Sequence, residues 1–156
     1  MPRIAHQELT ELVTQTFTKA GTPQAHAEIV SNHLVASNLA GHDSHGVMRI
    51  IQYVAAIGSG EIDPQARPST LSDSPSGASL AGNRAFGQVA GYDCMSLAIE
   101  KAREMGVAAV TVSNCYHSGQ IGTYAEQAAE AGMIGIILVN AGGGGQWVSP
   151  FGGAAG

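Results

Sequence analysis

Two short stretches hold most of the side chains able to do chemistry. The first is His42-Asp43-Ser44-His45-Gly46-Val47-Met48-Arg49. A helix beginning near Ser44 would put His45 and Arg49 four residues apart on one face, with Gln52 continuing it. Val47, Ile50, Ile51 and Val54 would form the apolar stripe, pointing elsewhere. A guanidinium beside an imidazole disfavours the protonated ring unless an anion lies between them. The pair therefore suits a small acid with a carboxylate next to a carbonyl. Arg49 can grip the carboxylate through two parallel hydrogen bonds. His45 can give or take a proton at the neighbouring oxygen near neutral pH. The competing assignment is a solvated helix face with an ordinary cap.

The second stretch is Asn114-Cys115-Tyr116-His117-Ser118-Gly119-Gln120-Ile121-Gly122-Thr123-Tyr124. It follows a predicted strand and opens a predicted helix, where ligands bind in open α/β sheets. Gly119 and Gly122 would let a ligand approach the backbone at a helix N-terminus, a position that favours anions. His117 lies where a second acid/base group would be useful, although a loop histidine bonded to backbone carbonyls reads the same way. Residues 142–145 are all glycine but do not form a G-x-G-x-x-G fingerprint, so they read as a flexible loop. Cys94 falls on a helix stripe and reads as core, and Cys115 as an inert thiol. His42, His45, Cys115 and His117 together offer a tetrahedral N/S set and with it a metal hydrolase. Their spacings are loose and no Cys-x-x-Cys supports them, so no metal site is assigned.

The elements that must position these groups follow from periodicity. Leu9, Leu12, Val13, Phe17 and Ala20 give one helical stripe over 6–20. Thr22-Pro23 reads as a hydroxyl cap followed by proline at the first helical position, opening a helix that runs to about residue 39. The third helix carries the first stretch. Strand-like pieces at 69–72 and 78–81 precede a long helix over about 85–105. A strand at 107–112, a helix at 121–131 and a second, almost wholly apolar strand at 133–139 complete the pattern. Helix alternating with strand implies crossovers and parallel pairing. The expected fold is α/β: an N-terminal helical segment (1–62), then part of a mixed or parallel sheet domain (63–156). An apolar strand such as 133–139 belongs inside a sheet, covered on both faces. Too little chain follows it to do so, and the sequence reads as truncated or complemented by a partner.

Composition excludes several classes. The chain has 156 residues and only 12% are charged, against about 25% in a typical soluble domain. Much of its surface is therefore expected to be covered. Seven Lys and Arg against twelve Asp and Glu give −5. The cations are scattered, which argues against nucleic acid. No apolar run reaches about 18 residues, so no membrane span is expected. The start lacks the apolar core of a signal peptide. Two cysteines make no disulfide framework, which leaves the cytoplasm as the simplest location.

Three motifs in order are specific together: Gly41-His-Asp-Ser-His-Gly-Val47 followed by Arg49 and Tyr53, the 114–124 stretch, and Val148-Ser-Pro-Phe-Gly-Gly153. With them the chain resembles the malate/L-lactate dehydrogenase type-2 family, which includes sulfolactate, ureidoglycolate and diketogulonate dehydrogenases and a cyclic-imine reductase. The resemblance implies a non-Rossmann, NAD- or NADP-dependent oxidoreductase working as a homodimer or larger assembly. It implies hydride transfer between nicotinamide and the hydroxyl-bearing carbon of a 2-hydroxy acid. His45 would match the proton donor, Arg49 the carboxylate-holding residue, and His117 a histidine acting as acid/base in some members. Ser44 and Tyr53 would line the substrate pocket, and His117, Gly119 and Gly122 would face the cofactor. Members of that family are longer, and the likeness is to their N-terminal half. It follows that this chain alone would bind NAD(P) weakly unless a C-terminal half complements it. The alternative is a non-catalytic relative that serves only in assembly.

Overall fold

The computed structural model describes residues 4–140. Helix α1 (His6–Lys19) and helix α2 (Gln24–Leu39) pair first. Two 3-10 turns, Asp43–His45 and Val47–Arg49, lead into α3 (Ile50–Ser59). Strands β1 (Ser69–Ser74) and β2 (Gly77–Ala81) form an antiparallel hairpin, irregular between Thr70 and Ser72. Helix α4 (Gly87–Met105) then crosses over to β3 (Ala109–Ser113), and α5 (Gly122–Glu130) follows. β3 pairs parallel to β2, from Gly77 against Ala109 to Ala81 against Ser113. The sheet order among the described residues is β1-β2-β3, the mixed α/β arrangement the helix and strand order implies.

The core is built where the helices meet the start of α4. Val13 and Phe17 from α1, Ala27, Val30 and Leu34 from α2, and Tyr53 and Ala56 from α3 close on Phe86 and Val89. Phe17 meets Phe86 edge-on at 5.7 Å, and Tyr53 packs against Phe17, Phe86 and Tyr116 at 5.8–6.4 Å between ring centroids. Each such ring removed from water contributes about 1.5–3 kcal/mol. The α3 backbone is thereby fixed against the rest of the molecule. No helix among the described residues is long and apolar enough to cross a membrane.

Four expectations need correction. Leu12 of the α1 stripe is exposed, and Thr14 is buried in its place. Thr22 does not cap α2; Pro23 holds the cap position, and the Thr22 hydroxyl is buried without a hydrogen-bond partner. The α3 helix starts at Ile50 rather than 44, because Gly46 is extended (φ −88°, ψ −158°) and breaks the helical run. Its buried side is consequently Tyr53 and Ala56, while Ile51 is 83% exposed.

The fourth concerns 133–139, which makes no ladder among the described residues. A strand exists through its partner, and a continuous apolar run does not supply one. The segment lies instead against α5: a methyl on Gly135 would come within 2.9 Å of Ala125 Cα and Ala128 Cβ. Ile134, Ile136 and Leu138 point outward, 80–93% exposed. The 142–145 glycines and the 148–153 motif lie outside the described residues.

Candidate active site

The first stretch is held from below by Asn38, in the last turn of α2. Its Nδ2 donates to Asp43 Oδ1 at 2.5 Å, and its Oδ1 accepts the Val47 N–H at 2.8 Å. A methyl group on Gly46 would sit 2.2 Å from that same Oδ1, so the residue between the two turns must be glycine. His42 N–H donates to Ser37 O at 2.8 Å, tying the turn to α2. His45 and Arg49 therefore lie on separate turns rather than on one helix face. Arg49 reaches back instead: its Nε donates to Ser44 O at 2.6 Å and its Nη1 to Gln52 Oε1 at 2.7 Å. Gln52 Nε2 in turn donates to the Tyr116 hydroxyl at 3.2 Å.

The second stretch is zipped against the entry to α4. Gly82 N–H donates to Ser113 O, Arg84 N–H to Asn114 O and Tyr116 N–H to Ala85 O, at 2.7–3.0 Å. Gly87 has no room for a side chain, since a methyl there would lie 2.3 Å from Tyr116 O. Beyond His117, the Gln120 N–H donates to His33 Nε2 at 2.9 Å and the Tyr124 hydroxyl donates to Ser118 O at 2.6 Å. Gly119 is buried with φ +70°, and its missing side chain leaves space taken by His33. Gly122, at the first turn of α5, is open: no heavy atom lies nearer than 4.0 Å to where a methyl would be.

These two frames bring His45 and His117 together. Their rings stack with centroids 5.3 Å apart and planes 25° from parallel. Ser44 Oγ is 2.9 Å from His45 Nδ1, and Tyr53 Oη is 2.8 Å from His117 Nδ1. Gln88 Nε2 donates to Tyr53 Oη at 2.7 Å. The predicted residues His45, His117, Arg49, Ser44 and Tyr53 thus form one cluster. Gly119 packs beneath it and Gly122 lies farther along the chain. The concavity between α4 and α5 lined by Ser96, Arg103 and Gln127 includes none of them.

The electrostatics follow from burial and from Arg49. Burial, then Arg49, then His45 lower the His117 pKa to about 4. Burial, Arg49 and His42 lower that of His45. His33 is lowered to about 4 by burial and by the two other imidazoles. Burial pushes the Tyr53 hydroxyl up to about 12, partly opposed by the Gln88 hydrogen bond and by Arg49. At neutral pH the rings are uncharged and Arg49 is the cation of the cluster. An anion bound at Arg49 would cancel its effect on both rings and raise their proton affinity.

Burial likewise raises the Cys94 thiol to about 11 and raises that of Cys115, so neither is an activated nucleophile. Among the described residues no three His, Cys, Asp or Glu side chains meet as a metal site, and His42, His45, Cys115 and His117 form no such set.

Sequence reasoning missed Asn38, His33 and Gln88. A faint signal existed for the last two: both are polar residues within runs that are otherwise buried.

A family model described as malate/L-lactate dehydrogenase matches residues 4–156. The chain is 47% identical over 138 residues to a malate dehydrogenase of Pyrococcus abyssi, covering 88% of this chain and 38% of that protein. It is 41% identical, over the same shares, to hydroxycarboxylate dehydrogenase B of Escherichia coli. Over 143 residues it is 36% identical to an L-sulfolactate dehydrogenase of Methanocaldococcus jannaschii, covering 92% of this chain and 41% of that protein. The solved malate dehydrogenase of Pyrococcus horikoshii superposes with a TM-score of 0.82 at 38% identity, covering 84% of this chain and 38% of that one. The chain thus spans about two fifths of the length of these relatives.

Proposed function

The chain belongs to the malate/L-lactate dehydrogenase family, and from that premise we propose that it carries the proton-handling and carboxylate-binding side of a 2-hydroxy-acid dehydrogenase. The observation that carries this reading is the meeting of His45, His117 and Arg49 from two stretches far apart in sequence. An interaction-only role gives no reason for two neutral imidazoles to stack beside a guanidinium.

In this reading Arg49 binds the substrate carboxylate with the guanidinium N–H groups not committed to Ser44 and Gln52. That charge neutralisation raises the proton affinity of His45, which donates a proton to the 2-oxo oxygen in reduction and accepts it from the hydroxyl in oxidation. Ser44 orients the His45 ring through Nδ1, and Tyr53 orients His117. Malate, lactate, sulfolactate and ureidoglycolate all present the carboxylate and adjacent oxygen that this arrangement suits.

The family makes a nicotinamide the hydride carrier, NAD or NADP. Gly119 is packed against His33, and the Gln120 N–H beside it donates to His33 Nε2. In this reading His117 and the open Gly122 are the residues that face the cofactor. A homo-oligomer, or complementation by further polypeptide, is proposed to complete the site. The exposed Met48 and Ile51 beside it, and Ile134, Ile136 and Leu138, offer apolar surface for that contact. Sedimentation as a monomer that binds no added C-terminal polypeptide would reject this. The free thiols of Cys94 and Cys115 suit a reducing, cytoplasmic setting.

The function is tested by a panel of 2-oxo acids with NADH and NADPH, following nicotinamide oxidation and, in parallel, ligand binding. Turnover or specific binding of at least one 2-oxo acid is expected. Neither for any member of the panel would overturn the proposal.

A further inference from the structure

We propose that Gln88 is a positioning residue that sets the tautomer of His117, acting through Tyr53 so that His117 presents an Nε2–H donor to the ligand. The three groups form one chain of hydrogen bonds running from the buried start of α4 to the open face of the cluster. Gln88 is 1% exposed and Tyr53 is fully buried, so solvent cannot reorganise the bonds between them. Gln88 Nε2–H donates to Tyr53 Oη at 2.7 Å. The buried phenol proton then has His117 Nδ1, 2.8 Å away, as its acceptor, since taking a second bond there from an Nδ1–H would leave the O–H itself without one. A ring nitrogen that accepts carries no proton. The neutral ring therefore has its hydrogen on Nε2.

The opposite polarity is disfavoured by the same burial. Turning the Gln88 amide over would let its oxygen accept from Tyr53, and Tyr53 would then accept from His117 Nδ1–H. That arrangement strands an NH2 group with two donors in the core. The observed one leaves Gln88 Oε1 without a partner and one N–H unused. Orphaned buried N–H groups are rarer in folded proteins than under-satisfied carbonyls.

The consequence rests on the dehydrogenase reading above and deepens it. With Nε2 protonated, a neutral His117 cannot accept a proton from a bound hydroxyl. It donates a hydrogen bond to a substrate oxygen, stabilising negative charge there. Proton exchange with the substrate then falls to His45, whose Nδ1 is bonded to a serine hydroxyl able to reverse its direction. Two histidines of one stacked pair thus take different roles because one is wired to a buried amide and the other to an exposed hydroxyl.

The test is long-range 1H–15N correlation spectroscopy on the full chain labelled in histidine, at neutral pH without ligand. His117 is expected in the Nε2–H pattern; the Nδ1–H pattern would overturn the proposal. In Gln88→Glu an ionised carboxylate can only accept, so Tyr53 must donate to it, and His117 is expected to switch to Nδ1–H as that carboxyl titrates. Persistence of Nε2–H with the carboxyl ionised would overturn it. Should that variant not fold, Tyr53→Phe decides: loss of the hydroxyl should move the His117 Nδ1 resonance and mix the tautomers, and an unchanged His117 spectrum would reject the chain. This readout needs neither substrate nor cofactor. Its failure leaves the dehydrogenase proposal standing, and an inactive panel leaves the tautomer assignment standing.

Discussion

Gly119→Ala separates two reasons for a glycine in the 114–124 stretch. If glycine serves ligand approach, alanine should weaken binding and leave the fold alone. The structure assigns the residue a packing role. Its φ is +70°, a conformation that costs a residue with a Cβ about 1–2 kcal/mol. The new methyl would lie 2.3 Å from His33 Nε2, the atom that accepts the Gln120 N–H. The ring must move, and the loss of that part-buried hydrogen bond costs a further 1–3 kcal/mol or so. Together these give a destabilisation of about 2–5 kcal/mol. For a chain of this size that lowers Tm by roughly 4–20 °C. Gly122→Ala is the control, since the site is open and alanine favours the helix by up to about 1 kcal/mol. Thermal unfolding followed by circular dichroism reads both variants. A Gly119→Ala protein melting within about 2 °C of wild type, or as perturbed as Gly122→Ala, would refute the packing argument.

Arg49→Lys replaces a two-pronged donor with a point charge. It is expected to raise KM for a 2-oxo acid roughly 10- to 100-fold while sparing kcat, and equal steady-state KM values would remove Arg49 from the site. His45→Ala should lower kcat by about 10²–10⁴ in the same assay, the range for losing a general acid/base; an unchanged kcat would exclude that role. His33 has a folded pKa of about 4 against 6.5 when unfolded. The unfolded chain therefore binds the proton first, and stability is full above pH 6.5 and falls as pH drops to about 4. For this group the loss is on the order of 3 kcal/mol; urea unfolding at several pH values should show it, and a His33→Gln protein with the same slope would contradict it. Cys94 and Cys115 should react slowly with a thiol reagent at mildly alkaline pH and fast in urea. Prompt labelling of either in the native protein would show that burial does not hold its thiol protonated.

Much of the architecture is visible in the sequence because it is local. Phe17 with Val13, and Gly106 after α4, mark elements through spacing and chain-reversing glycine alone. The His42 to Arg49 stretch was recognisable as a candidate site, but its shape was not. Two 3-10 turns around an extended Gly46 depend on the Asn38 side chain, which is set by packing at the end of another helix. The same holds for Tyr53. The family resemblance implied a pocket-lining role, and in the structure its ring lies in the core while its hydroxyl bonds His117. Segment 133–139 shows the reverse: its apolar run is plain in the sequence, but it makes no ladder among the described residues, because pairing is a property of a neighbour. Gln88 and His33 escaped because their partners lie 35 and 87 residues away.

The claim beneath the whole account is that His45 and His117 share one small-acid site governed by Arg49. Titrating histidine-labelled protein with oxaloacetate, with and without NADH, tests it directly. The ring resonances of both histidines should move along one saturation curve, shifted to higher concentration in Arg49→Lys. Movement of one ring without the other, or identical curves in the two proteins, would contradict it.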